Sequence, residues 1–191
     1  MKSEVRNSKS KILLHICCGI CSLETIERLK QNFQTIILFF YNPNIHPREE
    51  YERRLAVVRK IALLQSLELI EGAYETKNWF SAIKGLENEP EGGRRCEICF
   101  KIRLEKTAQK AKELDCDLIT TTLTMGPRKK AQTINKIGEA IAQQYGLQFL
   151  AEDFKKQDGF KKTIAAAKKH NFYRQNYCGC LFSFFPFSRY N

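Results

Sequence analysis

The chain has 191 residues, 43% hydrophobic and 28% charged, the balance of one globular domain with a real core rather than of a disordered chain. Its 32 Lys and Arg against 21 Asp and Glu leave a net charge of +11, which favours a polyanionic partner because neutralised phosphates release counterions. No apolar run reaches the roughly 20 residues of a membrane span, and the basic Met1–Lys11 stretch precedes only Ile12–Ile16, too short for a secretory signal. The expectation is a cytoplasmic protein with a single domain over 1–191, in which 1–10 is a flexible basic N-terminus.

Lys11–Ile16 is a short apolar run that predicts a first buried strand. Ser22 reads as the N-cap of a helix whose face carries Leu23, Ile26, Leu29 and Phe33. Thr35–Phe40 predicts the second strand, and Tyr51, Leu55, Val58 and Ala62 share a helical face after Pro47. Leu67–Glu71 predicts the third strand. Glu87–Arg95, with Pro90, Gly92 and Gly93, reads as an irregular loop. A helix facing inward through Phe100, Leu104, Ala108 and Ala111 follows it. Asp117–Thr122 predicts strand four, and Ile134, Ile137, Ile141 and Tyr145 mark a helix ending near Gly146. Leu147–Leu150 predicts strand five, and Gly159–His170 a last helix. This alternation predicts an α/β fold, an open doubly wound parallel sheet of about five strands.

Ligands in such folds bind outside the carboxyl ends of the strands. There the sequence places Cys17-Cys18-Gly19-Ile20-Cys21, Tyr41–Asn44, Tyr74-Glu75, Thr124–Arg128 and Asp153, one set after each strand.

The chain has eight cysteines, and in a reducing compartment they point to metal or redox chemistry rather than disulfides. Three groups hold seven of them: Cys17, Cys18 and Cys21 in the first strand-to-helix turn, Cys96 and Cys99 at a helix start, and Cys178 and Cys180 around Gly179. Thiolate is the ligand of zinc and of iron–sulfur clusters, and a helix start lowers a thiol pKa. A lone Cys-x-x-Cys serves redox, zinc and cluster chemistry equally, but a structural zinc site needs only four ligands. The surplus favours an iron–sulfur centre or a cluster beside a second metal. Cys116, alone before strand four, reads as a small buried hydrophobe.

His15 points to the same sheet face as Cys17, either as ligand, as proton donor or as a satisfied core histidine; His46 and His170 read as surface or capping residues. Asp153 is an acid–base or metal candidate, with N-capping as its plainer role. Basic runs at Arg128–Lys130 and Lys155-Lys156 follow strand ends and suit a phosphate track, although such runs are commonly solvated faces. The aromatic tail Leu181–Phe187 suits docking on the core more than stacking a base.

His15-Ile16-Cys17-Cys18-Gly19-Ile20-Cys21-Ser22 resembles the signature of the QueH-type epoxyqueuosine reductases. So do Tyr41–Pro47 with Glu50-Tyr51, Arg95-Cys96-Glu97-Ile98-Cys99 with Arg103-Leu104, Thr120–Leu123, Asp153-Phe154 and Tyr173–Cys180. The likeness runs from about Lys11 to Ser183. It implies a fold related to the adenine-nucleotide α-hydrolase (HUP) group, with a cysteine-rich turn where those proteins hold phosphate and a cysteine-rich C-terminal segment. It implies reduction of epoxyqueuosine in tRNA to queuosine, a 4Fe-4S cluster with an additional mononuclear iron nearby, and no cobalamin. Gly126–Ala131, Glu75 and Lys155 depart from the family pattern and touch fine specificity more than the cysteines.

The expected cluster ligands are Cys17, Cys18, Cys96, Cys99, Cys178 and Cys180, with Cys21 added to the metal-binding set. Removing an epoxide oxygen takes two electrons and two protons, so a cofactor must carry the redox step, fed by an unidentified electron donor. Asp153 is the first candidate proton donor and Tyr177 the second. Two other readings stay open on sequence: a cluster-dependent sulfur transferase, and a zinc-stabilised RNA-binding module without catalysis.

Overall fold

The computed structural model describes residues 11–184. The expectations for 1–10 and for Phe185–Phe187 lie outside the described residues. All five expected strands form: β1 Lys11–His15, β2 Thr35–Phe40, β3 Glu68–Glu71, β4 Leu118–Thr121 and β5 Gln148–Phe149. They make one parallel sheet in the order β3-β2-β1-β4-β5.

Helices α1 (Gly19–Lys30), α2 (Arg48–Gln65), α3 (Thr76–Ala82), α4 (Arg94–Glu113), α5 (Ala131–Gln144), α6 (Gly159–Lys169) and α7 (Leu181–Phe184) surround the sheet. Strand side chains alternate between two cores. Ile12, Leu14, Ile36, Leu38 and Phe40 face α1, α2 and α6, whereas Leu13, Ile37, Phe39 and Ile119 face α4 and α5. Burial on both faces explains why the central strands β1 and β2 are almost unbroken apolar runs, unlike edge strand β3 with its exposed Glu68 and Glu71.

The order of strands explains the layers. The chain moves one way from β1 to β3, then jumps back past β1 to β4 and β5. Right-handed crossovers therefore put α4 and α5 on the opposite face from α1 and α2. The reversal leaves a crevice between the carboxyl ends of β1 and β4, the place where such sheets hold ligands.

Two differences from the sequence expectations matter here. Helix α1 starts at Gly19, with Cys18 as N-cap, so Ser22 lies inside it and its Oγ donates to Gly19 O at 2.6 Å. The cysteine turn is thus itself the first helical turn. Gly19 permits it: a Cβ there would stand 2.4 Å from Val57 Cγ1 of α2. The second difference is α3, a short helix with too little apolar periodicity to signal itself, which buries Trp79 completely. Among the described residues no helix is long and apolar enough to cross a membrane.

Candidate active site and metal centre

The floor of the crevice is the β1 exit. His15 is fully buried, with Nδ1 2.8 Å from Thr121 Oγ1 and Nε2 3.1 Å from Tyr41 O. Burial, then the charge of Arg103, lowers its pKa to about 4. Of the readings open for it, the geometry is that of a satisfied core histidine locking β1 to β2 and β4. Thr122 continues the same seam: its Oγ1 accepts from Cys17 N at 3.0 Å and donates to Cys17 Sγ at 3.3 Å. Asn42 spans the crevice, donating from Nδ2 to Ile16 O at 2.8 Å and accepting from Arg103 Nη1 at 3.4 Å.

Cys17, Cys18 and Cys21 bring their sulfurs within 4.8 Å of one another, close enough to share one metal ion. Cys18 Sγ lies 3.9 Å from Cys17 Sγ and 2.8 Å from Cys21 Sγ. Thiol hydrogen bonds from Cys18 and Cys21, joined by Thr122, hold Cys17 well below the usual thiol range. Burial pushes Cys18 up to about 12, and Cys21 also rises through its bonds with Cys17 and Cys18.

The remaining four clustered cysteines meet above α4. Cys96 and Cys99 sit in the first turns of α4, where Gly92 N donates to Cys96 Sγ at 3.2 Å. Cys178 and Cys180 arrive from the C-terminal segment, with Cys178 Sγ 3.0 Å from Ser183 Oγ. The bond with Cys180, aided by Lys129 and Ser183, lowers the Cys178 pKa despite burial. All four line one tight cavity with Trp79, Asn44, Arg103 and Lys129. Cys116 is buried among apolar residues of the α4–α5 core, as its isolation suggested.

A second, larger cavity of about 580 Å³ adjoins the first. Cys17, Cys21 and Cys178 open into it, together with Tyr177. Cys178, Arg103 and Lys129 line both cavities. The two groups of thiols are therefore neighbours, and Cys17 and Cys178, the two whose pKa is lowered by their thiol hydrogen bonds, both face the larger cavity.

A buried ion pair fixes the C-terminal segment. Arg54 of α2, 2% exposed, donates to Glu50 Oε1 at 2.6 Å, to Cys178 O at 3.0 Å and to Tyr177 O at 3.1 Å. Tyr173 Oη donates to the other oxygen of Glu50 at 2.8 Å, and His46 N donates to Gly179 O at 2.8 Å. Gly179 has φ +102°, and a Cβ there would lie 2.8 Å from Ile45 Cγ1 and 2.9 Å from Arg54 Nη1. Arg95 packs over Phe182 at 5.2 Å and donates to the carbonyls of Leu86, Glu87 and Glu89, ordering the loop before α4.

The two candidate proton donors stand differently. Tyr177 lines the large cavity, donates to His46 O and lies 5.1 Å below the Arg54 guanidinium; burial pushes its phenol up to about 12. Asp153 is half-buried beside Lys155, 2.9 Å from its Nζ, and is not among the residues lining the cavity. Lys155 Nζ also donates to Thr124 O at 2.9 Å and Lys129 O at 3.1 Å, so this pair props the loop after β4. Of the basic candidates, Arg128, Lys129 and Arg174 line the large cavity, and exposed Arg128 pairs with Glu91 at 3.5 Å.

Sequence reasoning gave no individual role to Glu50, Arg54, Arg103 or Trp79. A signal existed for three of them. Glu50 and Arg54 are an oppositely charged i, i+4 pair bordering the apolar stripe of α2, and Arg103 stands four residues after Cys99 beside buried Leu104.

The donor set suits an anionic, thiolate-bound metal group. Six of the seven clustered sulfurs line two joined cavities, with Cys18 bonded behind them to Cys21; buried Arg54 and Arg103 with Lys129 offset negative charge, and the buried Nε1 of Trp79 has no partner among the described residues. Fold and site together define a parallel α/β protein whose thiols, three of them close enough to share a metal ion, converge on the sheet's switch point.

A model of the family described as "Epoxyqueuosine reductase QueH" matches residues 12–185. Epoxyqueuosine reductase QueH of Streptococcus pyogenes is 39% identical over 186 residues, 94% of this chain and 72% of that one. Its counterpart in Thermotoga maritima is 39% identical over 175 residues, covering 90% and 89%. The chain belongs to the epoxyqueuosine reductase QueH family. In fold it resembles the U34-tRNA thiolase NcsA from Methanococcus maripaludis, solved with its [4Fe-4S] cluster, at TM-score 0.58 and 14% identity over 97% of this chain and 65% of that one. A predicted subunit of tRNA methyltransferase from Methanocaldococcus jannaschii has TM-score 0.54 at 13% identity, covering 82% and 74%.

Proposed function

We propose that this chain reduces epoxyqueuosine in tRNA to queuosine, in the cytoplasm and without cobalamin, with a 4Fe-4S cluster and an adjacent mononuclear iron held by its seven clustered cysteines. The observation that carries the reading is the pair of thiol-lined cavities meeting at Cys178, one tight and one large enough to admit a modified base.

Breaking both C–O bonds of the epoxide to leave an alkene and water takes two electrons and two protons. The iron–sulfur group, when bound, would supply electrons received from an external donor, and the adjacent iron would supply Lewis acidity. The protein's own groups do the rest. Cys17, Cys18 and Cys21 on the β1 turn and Cys96, Cys99, Cys178 and Cys180 above α4 would hold the metals. Arg54, Arg103 and Lys129 offset the charge of the thiolates. Arg128 and Arg174, which line the large cavity, would hold phosphates of the tRNA and position the base. Tyr177, kept protonated by burial, delivers a proton to the departing oxygen. Asp153 is the alternative donor, and its bond to Lys155 ties that role to the loop after β4.

The deciding experiment is iron and sulfide analysis of protein purified without oxygen, with visible spectra before and after dithionite, followed by turnover of epoxyqueuosine-containing tRNA without cobalamin. About four to five irons and about four sulfides per chain, bleaching on reduction, and product formation are expected. Zinc without sulfide or bleaching would remove the reductase reading in favour of a binding module. Within the active protein, Tyr177→Phe should lower turnover about 100-fold or more at unchanged iron content; an equal loss in Asp153→Asn with none in Tyr177→Phe would reverse the assignment.

A further inference from the structure

Trp79 is 0% exposed, yet its indole N–H has no hydrogen-bond partner among the described residues. A buried donor without an acceptor costs free energy, so one left in place by a packed core points to a partner that the polypeptide does not supply. The neighbours narrow the choice. Trp79 packs with Cys99 and Cys180, and it lines the tight cavity with all four cysteines of that group. The His46 ring is 5.5 Å away between centroids, but its Nε2 is itself unpartnered and does not accept the indole proton. Phe80 and Phe182 flank the ring and offer no acceptor.

We propose that Trp79 Nε1–H donates a hydrogen bond to a sulfur of the cysteine-bound centre, a thiolate or a bridging sulfide, and thereby raises the centre's reduction potential. The inference rests on the iron–sulfur reading above. Its logic is electrostatic: an N–H directed at sulfur stabilises the more negative, reduced state. A higher potential makes the centre easier to charge from its donor, and α3 is the element that delivers the group.

The chain has one tryptophan, so replacing tryptophan biosynthetically with benzothienylalanine changes only this position and swaps the N–H for sulfur at nearly constant shape. That protein and Trp79→Phe are compared with the unmodified holoprotein by anaerobic redox titration. Both should keep iron and sulfide content while the midpoint potential moves to more negative values. The single indole cross-peak of 15N-tryptophan-labelled protein should also shift on loading the centre. Unmoved potentials in both proteins at full iron content would overturn the proposal, assigning the N–H to a trapped water, and would leave the iron–sulfur reading intact. Absence of iron and sulfide from the unmodified protein would instead remove both. The analogue keeps the test decisive even if Trp79→Phe does not fold.

Discussion

The two thiol groups are built in opposite ways. Cys17, Cys18 and Cys21 lie within five residues of one another, on a turn whose ends are a central strand and a packed helix. Their backbone is seated on Thr122, Asn42 and Gly19, deep against the sheet. Cys96 and Cys99 meet Cys178 and Cys180 only because the C-terminal segment returns across the molecule, and that return hangs on Arg54, Glu50 and His46. A group that is local in sequence inherits the rigidity of its element. A group assembled across about 80 residues depends on docking, and docking is where it fails first.

The largest break should come from the proposed ligands. Cys96→Ala or Cys178→Ala should lose iron and turnover together, and full retention of both would refute the ligand assignment. Next comes Arg54→Ala, which strands a buried Glu50 and frees the carbonyls of Tyr177 and Cys178. A cost of about 3–5 kcal/mol in urea unfolding is expected. The sharper readout is iron stoichiometry, which should drop although no ligand has been touched; undiminished iron would mean that the segment docks without this pair.

Gly179→Ala should do the same more mildly, at about 1–3 kcal/mol, because the new methyl group meets both a left-handed backbone and the Arg54 guanidinium. The smallest effect belongs to Cys116→Ala. It should leave iron content and turnover at their original values, since Cys116 sits in the α4–α5 core away from both thiol groups; loss of iron there would break the division of the eight cysteines made above.

Much of this is legible in the residues alone. Strands β1 and β2 are buried on both faces and therefore appear as apolar runs at nearly their observed bounds, and β4 shows as a short Leu-Ile-Thr-Thr run of strand-forming residues. The helical faces of α2, α4 and α5 follow the same logic of 3.6-residue spacing. Helix α1 starts four residues before the expected point because Ser22 has a cap-forming side chain, while the real N-cap, Cys18, makes no side-chain cap bond. Helix α3 was missed because seven residues with one fully buried side chain carry little periodic signal. Asp153 looked like an isolated carboxylate at a strand end, and only the fold reveals its ion pair with Lys155.

The alternation of apolar runs and amphipathic segments was enough to dictate a parallel α/β sheet, because local burial pattern is a property of a few neighbouring residues. Thiol chemistry was equally legible, since seven clustered cysteines have few other uses. Which sulfurs would meet, and around which cavities, was decided in three dimensions. Arg54, Tyr177, Trp79 and Cys178 become one site only when α2, α3 and the C-terminal segment close on the end of the sheet. Contacts between residues so far apart in the chain are set by topology and packing, and no short-range pattern encodes them.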